Sequence, residues 1–234
     1  MLSITGLPGC GSEAIGREIA RLMECRFVDD EMVDLIAERI NCSPKEIESF
    51  KASHHSVWSR MLNSLVVPME WSAAYDAGYH LFRPDLEDGV LDGQLTKENY
   101  LKAIASVVKT QCADGHVVLH GHGSHFHMPE SVEAINVFVS SSPDARAQRI
   151  ASELGLTLEE ARDWMKDADK DARAEAKFLH GADLESMTGF DITLNADRIS
   201  AETAAQMVLG ALQPQIASKR PDRARTSREL DIAR

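Results

Sequence analysis

Residues 6–16 read GLPGCGSEAIG, with glycines at 6, 9 and 11 lying between a short apolar run, LSIT at 2–5, and the helical recurrence of Ile15, Ile19, Leu22 and Met23. Glycine lets a backbone wrap closely around an anion, and the amide N–H groups of such a loop and of the following helical turn point at it, so this order of elements suits phosphate. The residues that would line the cradle are Gly6, Pro8, Gly9, Cys10, Gly11, Ser12, Glu13 and Gly16. The chain departs from the nucleotide-binding pattern GxxxxGK[ST] at two places: Ser12 stands where the lysine would be, and Glu13 where the magnesium-binding hydroxyl would be. A carboxylate in the first turn complements the helix dipole but repels phosphate, so a plain strand-to-helix turn is the competing reading of the same residues. Cys10, ahead of the helix, is expected to be acidified by the loop amides.

Two further groups of side chains could do chemistry. The cations Arg146, Arg149, Lys166, Lys170 and Arg173 lie on two consecutive helical stretches, where they either meet phosphate or pair with neighbours such as Glu159, Glu160 and Asp163. The run HVVLHGHGSHFH holds His116, His120, His122, His125 and His127, five of the nine histidines. Imidazole is a common transition-metal ligand, so a metal site is one reading. Strand spacing would put His116 and His120 on one face about 13 Å apart, leaving His120, His122, His125 and His127 to converge in the loop that follows. No cysteine pair or HExxH helix supports such a site. The favoured reading places these histidines at a nucleotide cleft, with His122 facing phosphate.

The elements that must position these groups are legible as an alternation. Short apolar runs at 2–5, 26–29, 116–120, 135–140 and 191–195 are separated by helical stretches, which predicts an α/β fold with a five-stranded parallel sheet covered on both faces. Residues 41–95 interrupt the alternation as a mostly helical insert that includes Arg83. Thr96 is the expected N-cap of a helix over 96–113, with Glu98 in its first turn. Ser142 caps a helix that begins at Pro143 and ends at Gly155, and Thr157 with Glu160 forms a capping signal for the next. Residues 214–234 carry almost no apolar pattern and are expected to form a mobile tail.

Composition narrows the partners. The net charge of −12 argues against a nucleic-acid polymer, which needs clustered Lys and Arg, but leaves room for small nucleotides in a local positive pocket. No run of about 18 apolar residues is present to span a bilayer, and the expectation is a cytoplasmic protein that does not bind membranes. The four cysteines form no CxxC pair, and Cys25, Cys42 and Cys112 are expected to be buried reduced thiols.

Taken in order, these stretches resemble the cytidylate kinase-like family, a branch of the P-loop nucleoside monophosphate kinases, over roughly residues 1–212. Pro8, Gly9, Gly11, Ile15 and Gly16 match its opening loop, which itself generally lacks the lysine. FVDDEMVDLIAE matches through Phe27, Asp29 and Val33, VFVSSSPDARAQRI through Arg146 and Arg149, and DITLNADRIS through Asp191 and Asn195. The resemblance implies a three-layer P-loop NTPase fold over residues 1–213, with 41–95 as an acceptor-binding insert and 157–181 as a helical lid. It implies transfer of the γ-phosphoryl of ATP, with Mg2+, to a nucleoside monophosphate, CMP or dCMP. Gly6, Pro8, Gly9, Cys10, Gly11, Ser12, Glu13, Gly16, Arg146 and Arg149 would hold the donor. Asp29, Asp30, Arg83 and His122 would meet the acceptor, and Arg173, Lys170, Lys166 and His122 would stabilise the transferred charge. Which side chains would meet the magnesium, and the oligomeric state, are left open.

The chain departs from the family where cations matter. His122 stands in place of the arginine after Gly121, and the lid motif Asp-Lys-x-Arg reads DKDA, with Arg173 displaced by one position. One helical position turns a side chain by about 100°, and loss of an arginine finger costs on the order of a thousandfold in rate. A nucleotide-binding regulatory protein without turnover is therefore the second reading, and a histidine-cluster metal protein the third.

Overall fold

A central strand of a covered parallel sheet is buried on both faces, and the first strand shows it: Leu2, Ser3, Ile4 and Thr5 are all buried, with the Ser3 hydroxyl bonded to that of Ser124. The computed structural model describes residues 1–53, 95–113, 115–129 and 132–212. The strands are β1 (Leu2–Gly6), β2 (Arg26–Val28), β3 (Val117–His120), β4 (Ile135–Ser140) and β5 (Ile192–Asn195). The helices are α1 (Ser12–Leu22), α2 (Glu31–Ile40), α3 (Pro44–Ser53), α4 (Lys97–Ala113), α5 (Pro143–Leu154), α6 (Leu158–His180) and α7 (Ala201–Ala211).

All pairings are parallel in the order β2-β3-β1-β4-β5, with Leu2 opposite both Val118 and Ile135. On one face Leu2, Ile4, Val118, Val137, Val139 and Leu194 pack with α1 and α7. On the other, Val28, Val117 and Leu119 pack with α2, α3 and α4 and with Leu179 of α6. Each fully buried Leu or Ile contributes about 1.5–3 kcal/mol. The sheet therefore fixes the carboxyl ends of β1, β2 and β3 side by side, the position at which open α/β sheets place their ligands.

Local signals end the elements where the sequence predicts. The Ser142 hydroxyl accepts from the Ala145 amide, Pro143 opens α5, and Gly155 closes it in the left-handed region. Thr157 and Glu160 form a reciprocal capping box at the start of α6, and the Thr96 hydroxyl accepts from the Asn99 amide at the start of α4. The expected lid segment is one unbroken helix whose Ala161 and Met165 pack on α5 while Leu179 enters the main core.

Some expectations are corrected. His116 is exposed and precedes β3, so it does not share a strand face with His120. Cys112 is buried, but Cys25 and Cys42 are only partly so, and all four thiols are free. Most of the 41–95 insert, with Arg83, and the 214–234 tail lie outside the described residues. No helix among the described residues is long and apolar enough to cross a membrane.

Candidate functional site

The loop from β1 to α1 turns through Gly9 and Gly11, at φ +74° and +91°, a region that costs a side-chain-bearing residue about 1–2 kcal/mol. Gly11 is the N-cap of α1 and supplies no side-chain acceptor, and the Cys10 thiol lies against the Ser12 amide and hydroxyl. That end of the helix is open to an anion.

Two arginines of α5 hold the loop from behind. Arg146 Nε donates to the Pro8 carbonyl at 2.8 Å, and its two terminal nitrogens donate to the two carboxylate oxygens of Asp169. Arg149 Nη1 donates to the Gly9 carbonyl at 2.9 Å and to Ser141 Oγ at 2.8 Å, and its Nη2 donates to the Ala196 carbonyl at 3.0 Å. Both were expected as ligands of the donor. What the structure places here is a brace for the loop carbonyls, with the Arg149 guanidinium 3.8 Å from where a Gly11 Cβ would stand.

Ser12, the first residue of α1, is buried, and its Oγ lies 2.8 Å from His120 Nε2. The other ring nitrogen, Nδ1, lies 2.7 Å from Asp29 Oδ1. Burial works to raise the Asp29 pKa, but the hydrogen bond from His120 and the nearby Arg17 guanidinium help to outweigh it, and the carboxyl is held below its ordinary value. An ionised Asp29 accepts from Nδ1–H, which leaves Nε2 as the acceptor of the Ser12 hydroxyl proton. Phe27 stacks on the His120 ring at 5.8 Å, and the Arg17 guanidinium lies 4.7 Å from the Phe27 centroid.

Gly16 makes room for Phe27, since a Cβ there would stand 2.6 Å from Phe27 Cε2 and 3.0 Å from Ile4 Cγ2. Gly16→Ala is accordingly expected to destabilise the fold by about 1–3 kcal/mol in urea unfolding, although alanine is the better helix former.

The remaining expected residues fall in different places. Glu13 is exposed and paired with Arg17 at 2.8 Å. Cys10 is buried, and burial pushes its thiol up, against the expectation that loop amides would acidify it. The Asp30 carboxyl is raised by burial and by the nearby Asp29 and Glu13. Lys166 is exposed and bonded to Asp163 at 2.8 Å. Lys170 is exposed, with no hydrogen bond or ion pair among the described residues. Arg173 Nε donates to Glu185 at 2.6 Å, and its Nη2 stands 3.7 Å from Asp169, so one carboxylate is shared by Arg146 and Arg173.

The histidine run divides. Gly121, His122 and Gly123 are three successive residues at positive φ, which double the chain back after β3, and the Gly121 amide donates to the Ile4 carbonyl. Burial and the Lys51 ammonium push His122 down to about 3, so it is neutral at pH 7. His125 and His127 gather with Phe126, Phe190 and His180 of α6 as a ring cluster. Among the described residues no three metal-ligating side chains converge to hold a metal ion.

Burial holds His125 and His180 to about 4. An unfolded histidine protonates near 6.5, so between pH 6.5 and 4 the unfolded chain binds more protons and stability falls as pH falls. Thermal melts across that window should show a falling Tm, with a shallower slope in His180→Gln.

The residue that sequence reasoning underused is His120, weighed as a metal ligand or as one of several cleft histidines and given no partner of its own. The signal that could have found it is its place at the end of a strand expected to lie beside the loop-bearing one.

Comparisons with known proteins agree with this architecture. A sequence model of the cytidylate kinase-like family matches residues 1–198. A cytidylate kinase of Pyrobaculum arsenaticum is 19% identical over 208 residues, 88% of this chain and 89% of that protein. A cytidylate kinase of Methanopyrus kandleri is 23% identical over 104 residues, 44% of this chain and 53% of that one. The crystal structure of an uncharacterised protein from Eubacterium ventriosum superposes with a TM-score of 0.57 at 14% identity, covering 93% of this chain and 98% of that chain.

Proposed function

This chain belongs to the cytidylate kinase-like family, and from that premise we propose that it transfers the terminal phosphoryl group of Mg-ATP to a nucleoside monophosphate, with CMP or dCMP as the acceptor. The observation that carries the reading is the loop at the end of the central strand: two glycines at positive φ, a helix start without a side-chain cap, and two arginines that hold the loop carbonyls. Phosphoryl transfer asks a protein mainly to position two anions and to neutralise charge. Loop amides serve the first need for the donor. For the acceptor, the cytidylate kinases among the relatives support a cytidine nucleotide, and the 41–95 insert is the segment assigned to cover it.

The cations favour a second reading as well. Lys166, Arg146 and Arg173 are each engaged by carboxylates, and His122 is neutral. A chain with its positive charge committed this way binds a nucleotide without turning it over unless substrate draws Arg173 from Glu185.

The test is ADP formation from Mg-ATP with CMP, dCMP, UMP, AMP and GMP offered one at a time. Turnover with a cytidine nucleotide that falls in Arg173→Ala supports the kinase. Nucleotide binding by calorimetry with no ADP from any acceptor establishes the binder.

A further inference from the structure

We propose that Lys51 is the cation that meets the phosphate of the acceptor monophosphate, and that Glu175 of α6 holds its ammonium until the acceptor arrives. This deepens the reading above and rests on its assignment of the 41–95 insert to the acceptor.

The charge that a phosphate needs is missing at the position where the sequence directs attention. His122 stands in place of an arginine and is neutral at pH 7, so it can make a hydrogen bond but cannot balance a dianion. The cations of α5 and α6 turn elsewhere: Arg146 and Arg149 brace the loop carbonyls, Lys166 meets Asp163, and Arg173 meets Glu185. Lys51 differs in its place. It stands in the last turn of α3, its side chain is 24% exposed, and its Nζ lies 3.0 Å from Glu175 Oε1.

One stretch of α6 brings this ammonium to the site. Glu175 pairs with Lys51, and the Phe178 ring lies 6.4 Å from that of Phe50. His180 fills the space beside Gly123, where a Cβ would stand 2.5 Å from its Nε2. Within about one and a half turns the same helix therefore touches α3 and the loop after β3 that carries His122. On the α3 side, Ile47 is fully buried and Phe50 meets Tyr100 at 5.6 Å, which fixes the backbone from which Lys51 extends. The Lys51 ammonium is near enough to bear on the charge of His122, as are Asp29 and His120. Lys51 and His122 thus stand together at the carboxyl ends of β2 and β3, the ammonium supplied by the insert and the imidazole by the sheet.

The side-chain chemistry suits an exchange of partners. An ammonium is a compact charge with three donors on a flexible stem, so it can pass from a carboxylate to a phosphate without moving its helix. The Glu175 side chain is 23% exposed, and a pair that water reaches is weak enough to give way. A phosphate monoester carries about −1.5 to −2 charges at pH 7 against the single charge of Glu175, so it is the stronger partner. Glu175 is a positioning residue, acting through Lys51, and the arrival of the phosphate releases it.

The experiment follows ADP formation and calorimetric binding in the full chain for CMP, dCMP, UMP, AMP and GMP, each beside its own nucleoside, which lacks the phosphate. Lys51→Met is expected to weaken monophosphate binding and raise its KM by about tenfold to a hundredfold, with nucleoside binding and the KM for ATP unmoved. Lys51→Arg keeps the charge and should recover most of the affinity. Glu175→Gln removes the competing carboxylate and should lower the KM for the monophosphate by about two- to fivefold, the change falling on KM rather than kcat. A merely structural Glu175 would lower the melting temperature without separating the two. The double variant Lys51→Met with Glu175→Gln leaves no carboxylate stranded, so it should melt near the parent and bind monophosphate as weakly as Lys51→Met. Monophosphate binding that is lost in both Lys51→Met proteins, with no ADP from any acceptor, supports the Lys51 site and overturns transfer. Turnover whose monophosphate KM is unchanged in both overturns the site and leaves the kinase standing. A loss shared equally by ATP, nucleoside and monophosphate in the double variant reports the fold and overturns the site. No binding and no ADP with any monophosphate overturns both.

Discussion

Arg146→Ala is expected to lower the free energy of unfolding by about 3–5 kcal/mol, a large part of what a domain of this kind has. The Arg146 side chain is 6% exposed and that of Asp169 12%. Removing the guanidinium leaves a buried carboxylate with only the longer contact to Arg173, at 3.7 Å, and frees the Pro8 carbonyl from its donor, and both losses fall where water cannot compensate fully. Urea unfolding of the single variant measures the effect. The double variant Arg146→Met with Asp169→Leu removes both charges and fills the space, so it should recover most of the stability while leaving the loop without its brace. A double variant as unstable as the single one would show that the loop contact matters more than the stranded charge.

Gly9→Ala should leave the protein folded and cut phosphoryl transfer by about a hundredfold. At φ +74° an alanine is strained, and its Cβ would lie 2.8 Å from Ile150 Cδ1 and 2.9 Å from the Arg146 carbonyl oxygen. The isoleucine end can rotate away, but the carbonyl belongs to the backbone of α5 and cannot. The loop must therefore shift, and a misplacement of about 1 Å at a reacting centre costs on the order of a hundredfold. ADP formation read beside a thermal melt separates the loop effect from global loss. Gly210→Ala, inside α7 where a Cβ meets nothing within 4 Å, is the control and should leave ADP formation unchanged while raising the melting temperature slightly, because alanine is the better helix former.

The parts of the fold legible in the sequence are those decided within a few residues. The five runs became the five strands with ends moved by a residue or so: β3 and β4, buried almost throughout, are mainly apolar as a covered strand requires, while the edge strands β2 and β5 are partly exposed. Ser142, Thr157 and Gly155 marked helix ends because capping is a local hydrogen-bond problem. The site was legible only in part. The glycine loop announced itself, since no other residue takes that backbone cheaply. The bond from Ser12 to His120 joins residues 108 positions apart, and that from His120 to Asp29 spans 91. Only the strand order, with β3 between β1 and β2, makes them neighbours. The histidines show the same limit. Five clustered in the sequence suggest one site, yet the fold sends His120 to the glycine loop, leaves His122 neutral near Lys51, and packs His125 and His127 with His180, which comes from a different helix.

The brace that α5 gives the loop also has a place in time. Arg146 reaches back 138 residues to Pro8, and Arg149 reaches back 140 to Gly9. As the chain leaves the ribosome, the glycine segment is made well before α5, and the contacts that hold its shape wait until α5 has emerged. Contacts of such long separation also form late in refolding from denaturant, after the entropy of closing the intervening chain has been met. Nucleotide capture should therefore lag behind recovery of helical signal in a refolding experiment, a delay built into the order in which loop and brace are encoded.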